Sequence, residues 1–322
     1  MLNIPIRRTI ASFICHCTQV MVLSLAMIST TCMAADSPRG TISSGPRSNW
    51  YTGFEVGAGY QMRTDIRSGG EFGLSRFAMS GSLGYRNRQF DTAALSIGYQ
   101  QRAYDFGGAN LLTPSDPWNQ VHFLSMSLPV FKRLGEDWTL MAIPTIRTMV
   151  EDTEDFDQDI TGGSIVGLSY QINPKLKLGP GFGILSQLED NTSVFPVVVI
   201  DWDISEKWNL QTGRGFGASQ GPGLTLSYAM NESWSLAMSG RFERFRFRMD
   251  QQGPQPGGIG EDRNASVYLA AMYRVNSQIL INLFTGLTFA GELSVDDASG
   301  NEIAERDYEA TSVIGVNLRM RF

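Results

Sequence analysis

The sequence predicts an all-β chain, a transmembrane antiparallel up-and-down β-barrel of about 14 strands, with about 12 to 16 as the range. Three observations carry this. Apolar residues alternate with small or polar ones at period two along most of the chain, the signature of strands with two unlike faces. Beyond residue 34 no stretch of 18 apolar residues occurs, so a bilayer is crossed by a closed sheet or not at all. The apolar face is also the bulky one: Phe77, Met79, Leu83 and Tyr85, or Val267, Leu269, Ala271 and Tyr273, lie opposite Gly, Ser, Thr, Asn, Gln and Arg. A soluble sandwich or barrel is the alternative for alternating strands, but it would turn its bulky residues inward and its charges outward.

Taken from the N-terminus, residues 1–34 read as a secretory signal, with Arg7 and Arg8 in front of the apolar stretch VMVLSLAMI (20–28) and Ala34 as the small residue before cleavage. A twin-arginine signal lacks the rest of its pattern here. A lipidated Cys32 would follow Thr30 and Thr31, where small or aliphatic residues are usual. Residues 35–49 are expected to form a short periplasmic segment and residues 50–322 the barrel. Clean alternation covers 52–63, 74–86, 91–103, 160–172, 175–187, 193–204, 222–231, 234–248, 264–276, 278–290 and 310–322; segments 119–132, 137–149 and 207–217 fit less well. In the final strand Ile314, Val316, Leu318, Met320 and Phe322 share one face.

The strand junctions repeat. GEDWTL (135–140), NPKLKL (173–178), SEKWNL (205–210), NESWSL (231–236) and NSQILI (276–281) are each a tight turn opening a strand, one hairpin apart. They should share one end of the barrel. Longer connections, expected at 104–118, 150–159, 249–263 and 291–307, should share the other. That asymmetry places the short turns and both termini on the periplasmic side. Trp138, Trp208 and Trp234 then form a girdle at the membrane boundary, where an amphipathic ring is favoured.

Composition excludes several classes of function. All three cysteines, Cys15, Cys17 and Cys32, fall inside the signal, so a cleaved chain has no thiol for a disulfide or thiolate metal site. Removing the two signal arginines leaves 24 basic against 32 acidic residues, a net charge of −8, which argues against nucleic-acid binding. No GxSxG, HExxH or P-loop pattern occurs. The one histidine past the signal, His122, precedes Ser125 without the surroundings of a hydrolase pair. No enzyme and no cofactor are expected.

The terminal Phe322, with Met320 and Leu318 at alternate positions before it, resembles the assembly signal of Gram-negative outer-membrane barrels. Met320 stands where a tyrosine is usual. More narrowly, VFPVVVIDWDISEKWNL (194–210), GRFERFRFRMD (240–250) and NLRMRF (317–322) resemble an uncharacterised family of bacterial outer-membrane barrels, with the likeness spanning most of the chain from about residue 50. The resemblance implies the fold, an outer-membrane location, and partners in the barrel-assembly machinery, periplasmic chaperones, outer-membrane lipid and lipopolysaccharide. It implies no activity.

The candidate site is a set of charges. Only four lysines occur, Lys132, Lys175, Lys177 and Lys207, all near the short turns. Arginines cluster instead toward the long-loop end: Arg63, Arg76, Arg102 and Arg147 on separate strands, the first three on the polar face. In 234–250 the apolar parity slips from Leu236, Met238 and Phe242 to Phe245, Phe247 and Met249. A β-bulge near Glu243 and Arg244 would hold Arg241, Arg246 and Arg248 in the lumen. The acidic loop EDTEDFDQD (151–159), with Glu151, Asp152, Glu154 and Asp155, would face them across a constriction. In the bland alternative the loop stays solvated and the arginines pair with Glu55 and Glu243 to pin strands. Asp155, Asp157 and Asp159 have the spacing of calcium ligands, but Ile160 stands where the glycine of such a loop belongs, so no metal site is expected.

The function expected from this pattern is porin-like passive diffusion of small solutes. Two alternatives stay open. A closed structural or surface-interaction barrel would use its acidic loops on ions or lipopolysaccharide. A hydrophobic-solute transporter would use the inward Ile165, Leu185, Phe195, Val197, Val199, Tyr268, Met272 and Phe284. Lumen width separates them: an open pore needs small residues at its narrowest layer, and a closed one has bulky residues meeting across it.

Overall fold

The computed structural model describes residues 49–67, 69–87, 91–108, 112–113, 116–151, 156, 159–189, 191–213 and 222–322. Residues 1–48, which hold the expected signal and all but the last residue of the short segment after it, lie outside these. So do Asp152, Glu154, Asp155 and Asp157.

Sixteen strand segments follow in chain order: β1 (Trp50–Asp65), β2 (Glu71–Arg86), β3 (Thr92–Gly107), β4 (Gln120–Ser127), β5 (Val130–Leu134), β6 (Trp138–Val150), β7 (Thr161–Asn173), β8 (Leu176–Ser186), β9 (Thr192–Asp203), β10 (Trp208–Thr212), β11 (Gly223–Ala229), β12 (Trp234–Arg248), β13 (Ile259–Arg274), β14 (Ile279–Asp296), β15 (Glu302–Tyr308) and β16 (Thr311–Arg321). They make a closed antiparallel barrel of 14 strands. β4 and β5 are two pieces of one strand, broken at Leu128–Pro129 between β3 and β6. β15 and β16 are likewise one strand, broken at Glu309–Ala310 beside β14. Closure comes from β16 pairing with β1, where Phe322 and Thr52 exchange two 2.9 Å backbone hydrogen bonds.

Short turns and the last residue lie at one end, here called the lower end. The other end is built unevenly. β1, β2 and β3 have 16 residues each, and β13 and β14 have 16 and 18. β8 to β11 have 11, 12, 5 and 7. At about 3.3 Å per residue, the long strands rise well above the short ones. Segments expected as loops belong to this rise. β13 begins at Ile259 and β14 runs to Asp296, where a hairpin of β14 and β15 replaces the expected 291–307 loop. Its tip is capped by Asp297. The side-chain amide and N–H of Asn301, together with the N–H of Ser299, hold that carboxyl below its usual range.

The raised strands close on each other a second time. Above the short wall of β7–β11, β12 reaches β6 and pairs with it in parallel at Arg248↔Val150. Inside this narrower upper closure lies a buried apolar cluster. β2, β3, β4, β12 and β14 contribute, as with Phe72, Tyr104, Phe123, Phe247 and Leu293; Ile66 follows β1, and the β3–β4 connection adds Trp118. Trp118 is 1% exposed and meets the rings of Tyr104, Phe106 and Phe247 edge-on at 5.7, 5.6 and 5.1 Å, a favoured aromatic geometry.

On the inner face, large rings lie over glycines directly opposite on the neighbouring strand: Tyr51 over Gly84, Phe195 over Gly183, Phe247 over Gly260, Tyr308 over Gly291 and Phe284 over Gly315. A methyl added at any of these glycines would fall 2.1–2.4 Å from the ring. The pairing lets a ring lie flat on the wall, filling the layer without splaying the strands.

Candidate functional site

The site is where the two walls of long strands meet across the lumen. β2 and β3 bring Arg76 and Arg102 inward, while β12 and β13 bring Glu243 and Asp262 from the other side. All four side chains are at most 2% exposed. Glu243 Oε2 accepts hydrogen bonds from Arg76 Nη1 at 2.8 Å and Arg102 Nη2 at 3.2 Å. Arg102 Nη1 stands 3.7 Å from Asp262 Oδ2. Tyr104 and Tyr308 donate to the two oxygens of Asp262 at 2.9 and 3.0 Å, and Gln61 accepts from Arg76 at 3.2 Å. The Arg102 guanidinium carbon also sits 4.0 Å above the Phe245 ring, so the ion network and the apolar cluster above it share a boundary. Charges buried this deeply need opposite charges beside them; each carboxylate here accepts hydrogen bonds, while Arg102 Nη1 faces Asp262 as an ion pair without a hydrogen bond.

The other expected residues are distributed by the strand registers. β12 and β13 pair from Trp234↔Tyr273 to Arg248↔Ile259 without a shift, so the expected bulge at Glu243–Arg244 is absent. Odd residues face inward throughout: Arg241 is buried in the lumen beside Gly223, and Phe245, Phe247 and Met249 enter the upper core. Arg246 and Arg248 therefore leave the opposite face, a correction to their expected lumen positions. Arg246 binds Glu261 at 2.8 Å, Asp296 at 2.7 Å and Glu189; Arg248 binds Asp159 at 3.0 Å.

Arg63 is the second correction. A register shift between Gln61 and Thr64 turns it out of the barrel, where its 41% exposed side chain pairs with Glu71 and Asp105. Arg147 does face inward and is buried against Thr161. Glu151 lies over the rim rather than in the lumen, accepting backbone hydrogen bonds from Asn119 and Asp250.

Glu55 and Glu243, read as strand-pinning partners, are paired: Glu55 accepts from Asn317 at 2.8 Å and Arg319 at 3.1 Å. Sequence reasoning missed Asp262 and Tyr104, because 249–263 and 104–118 read as loops, and Tyr308, which falls between the expected 291–307 loop and the strand at 310–322. Their signal was the alternation Tyr104–Phe106 continuing past β3's lipid-facing stretch. His122 and Ser125 project from opposite faces of β4, and His122 Nδ1 meets Tyr99 Oη at 2.9 Å. Among the described residues no cluster of metal-ligating side chains occurs.

At the lower end Trp138, Trp208 and Trp234 face outward, each opposite a tyrosine: Tyr170 at 4.8 Å, Tyr228 at 4.8 Å and Tyr273 at 4.7 Å. Trp50 and Tyr85 form a fourth such pair at 5.2 Å. Leu318, Met320 and Phe322 also face outward, with Phe322 62% exposed.

A family described as Domain of unknown function (DUF6268) matches residues 112–322, well over half of the chain and reaching from the β3–β4 connection to the last residue. This chain belongs to that family. The DUF6268 match takes in Glu243 and Asp262 but not Arg76 and Arg102, so the ion network joins the matched part to the part before it.

No curated protein matches the chain. Among solved structures, an outer membrane channel from Pseudomonas putida F1 is 12% identical with a TM-score of 0.45, covering 84% of this chain and 96% of that one. The P. putida toluene transporter TodX is 10% identical with a TM-score of 0.42, over 86% and 91%. The translocator domain of autotransporter NalP from Neisseria meningitidis is 10% identical with a TM-score of 0.39, over 87% and 90%.

Proposed function

We propose that this protein is a channel-type barrel of a Gram-negative outer membrane whose resting state is closed, rather than a constitutively open porin. The observation that carries this reading is the Arg76–Glu243–Arg102–Asp262 network, which spans the lumen under a packed apolar core. An aqueous pore needs a wetted layer lined by small or polar groups along its whole length. Here bulky side chains from opposite walls touch. Below the network, inward Ile165, Val197 and Val199 are only half-buried, which supports a lumen entered from the lower end and blind at the upper one.

In the same reading the short turns and termini are periplasmic, the tryptophan–tyrosine pairs mark the inner boundary of the membrane, and Phe322 is presented to the assembly machinery. No catalytic role is assigned to any residue.

The test is planar-bilayer conductance of the purified, folded protein, beside a variant with Glu243→Gln and Asp262→Asn. The wild type should be silent or open only briefly, and the variant should open more often because its two walls are no longer charge-paired. Large, steady steps from the wild type would overturn the closed state. A variant as silent as the wild type, and equally folded, would favour a second reading, a surface-interaction barrel without transport; the packing of Trp118 into the core is the observation on its side.

A further inference from the structure

The upper closure has two seams between strands that are not chain neighbours. β1 meets β15 at the bridge Ile66↔Tyr308 with flanking backbone hydrogen bonds, above the nine-residue ladder of β1 with β16. β6 and β12 instead meet at the single bridge Arg248↔Val150 and one further backbone hydrogen bond, Glu151 N–H to the Arg248 carbonyl at 2.9 Å.

We propose that Glu151 and Arg248 are the two halves of a latch that holds this seam shut, and that its release opens the apolar core behind it to small apolar solutes. The proposal rests on the closed-barrel reading above. Glu151 reaches both sides of the seam: Oε1 accepts from Asn119 N–H at 3.0 Å on the β3–β4 side, and Oε2 from Asp250 N–H at 3.1 Å on the β12–β13 side. Arg248 ties in the surrounding connections. Its Nε donates to Asp159 at 3.0 Å, Nη1 to the Gly257 carbonyl at 3.0 Å and Nη2 to the Leu188 carbonyl at 3.1 Å. With Arg248 Nη1 also donating to the Ala298 carbonyl at 3.5 Å, the two side chains gather five upper connections onto one point.

Immediately behind the seam the surface is apolar: Met149, Met249, Phe247, Phe123 and Trp118 are each at most 5% exposed. Parting β6 from β12 wets these groups, which is unfavourable in proportion to the apolar area bared. A solute able to cover them offsets that cost and shifts the population toward the parted state; a hydrated ion or a sugar does not. The first charges a solute would meet, Arg102 and Asp262, are already paired within the ion network. The chemistry therefore selects a small uncharged apolar or aromatic molecule.

The experiment uses the full chain with Cys15, Cys17 and Cys32 replaced by serine and Met249→Cys, directly behind the seam, as a reporter, purified folded from membranes. With the latch intact, a maleimide should label the reporter thiol slowly. Adding Glu151→Gln and Arg248→Gln should speed labelling about tenfold or more, the factor that corresponds to about 1.4 kcal/mol of lost latch stabilisation, while Glu151→Asp should leave it slow. In the released variant 1-naphthol should protect the reporter thiol and glucose should not. Should the double variant misfold, Glu151→Gln alone is read the same way.

Labelling that ignores the latch in folded protein overturns the latch. Labelling that responds to the latch but not to 1-naphthol overturns the apolar solute. The closed-barrel reading fails separately, through steady conductance of the wild type.

Discussion

The lower and upper halves of β12 are one continuous strand with opposite hydrophobic faces. Below, Leu236, Met238 and Phe242 point outward and are 45%, 49% and 64% exposed, as suits side chains facing lipid. Above, Phe245, Phe247 and Met249 point inward and are at most 1% exposed, while Arg244, Arg246 and Arg248 take the outer face. The strand does not bulge between them; in the membrane reading proposed above, its surroundings change from lipid to water. β2 and β3 behave alike, passing from outward Phe77 and Ile97 to inward Phe72 and Phe106.

β1 and β14 reach the same inversion by the other route. A register shift near Gln61/Thr64 in β1, and another opposite Arg263/Ala265 in β14 where Ala290 adopts φ 50°, turns the faces over. In β14 the apolar residues accordingly keep one parity, from Leu283 and Leu287 outside to Leu293 and Val295 inside. A slip of apolar parity in a barrel sequence therefore marks either a bulge or the exit from the bilayer, and an unbroken parity does not show that a strand stays in it.

Removing Glu243 should do the most damage to the upper half. Glu243→Ala leaves Arg76 and Arg102 buried without their shared carboxylate, a loss of about 3–5 kcal/mol for a broken buried pair. It is measured as a lowered urea midpoint for folding into lipid vesicles. An unchanged midpoint would mean that the two walls are not held together there.

The apolar core above it should be nearly as sensitive. Phe247→Ala empties a ring position between Trp118 and Gly260 and should cost about 3–5 kcal/mol. Phe242→Ala, five residues earlier on the lipid face, should cost far less, because lipid fills the space. Equal effects at Phe242 and Phe247 would break the comparison between the halves.

Charge insertion reverses the ranking of the two outer faces. Leu269→Arg, on the lipid-facing surface of β13, should destabilise by about 2–4 kcal/mol if it lies near the middle of the bilayer. On the upper outer face a cation is already native at Arg263, paired with Glu292. Vesicle-refolding midpoints of Leu269→Arg and of Ile303→Arg, an exposed position on neighbouring β15, read together, locate the level at which this wall leaves the lipid.

Much of this was legible in the sequence, and for a stated reason. The faces of β16, with Ile314 to Phe322 outward, and the tryptophans at the strand openings follow from alternation and turn repeats, both local. The inward set of Leu185, Phe195, Tyr268 and Phe284 followed from the same parity. What failed lies mostly above the stretch of each strand whose apolar residues face outward. Rules for lipid-facing strands take inward apolar residues such as Tyr104 or Leu293 as the end of the strand. They are instead its continuation, and with them Asp262, the second carboxylate beside Arg102 after the expected Glu243, was lost from view. The strand-spanning contacts of Glu243 depend on which walls face each other, and that is set by the unequal strand lengths rather than by any local motif.

Arg63 is the sharpest small test of this account. Alternation alone puts it in the lumen with Gln61; the register shift puts it outside, in water, with Glu71 and Asp105. An exposed, solvent-screened ion pair contributes little, so Arg63→Ala should barely move the refolding midpoint and should leave the silent conductance of the barrel as it is. Arg76→Ala, one strand away on β2 and pointing inward, should disturb both. Were Arg63→Ala to open the barrel or unfold it as Arg76→Ala does, Arg63 would belong to the lumen network. The inversion of faces in β1 would then have to be placed above it, at Asp65 or Ile66.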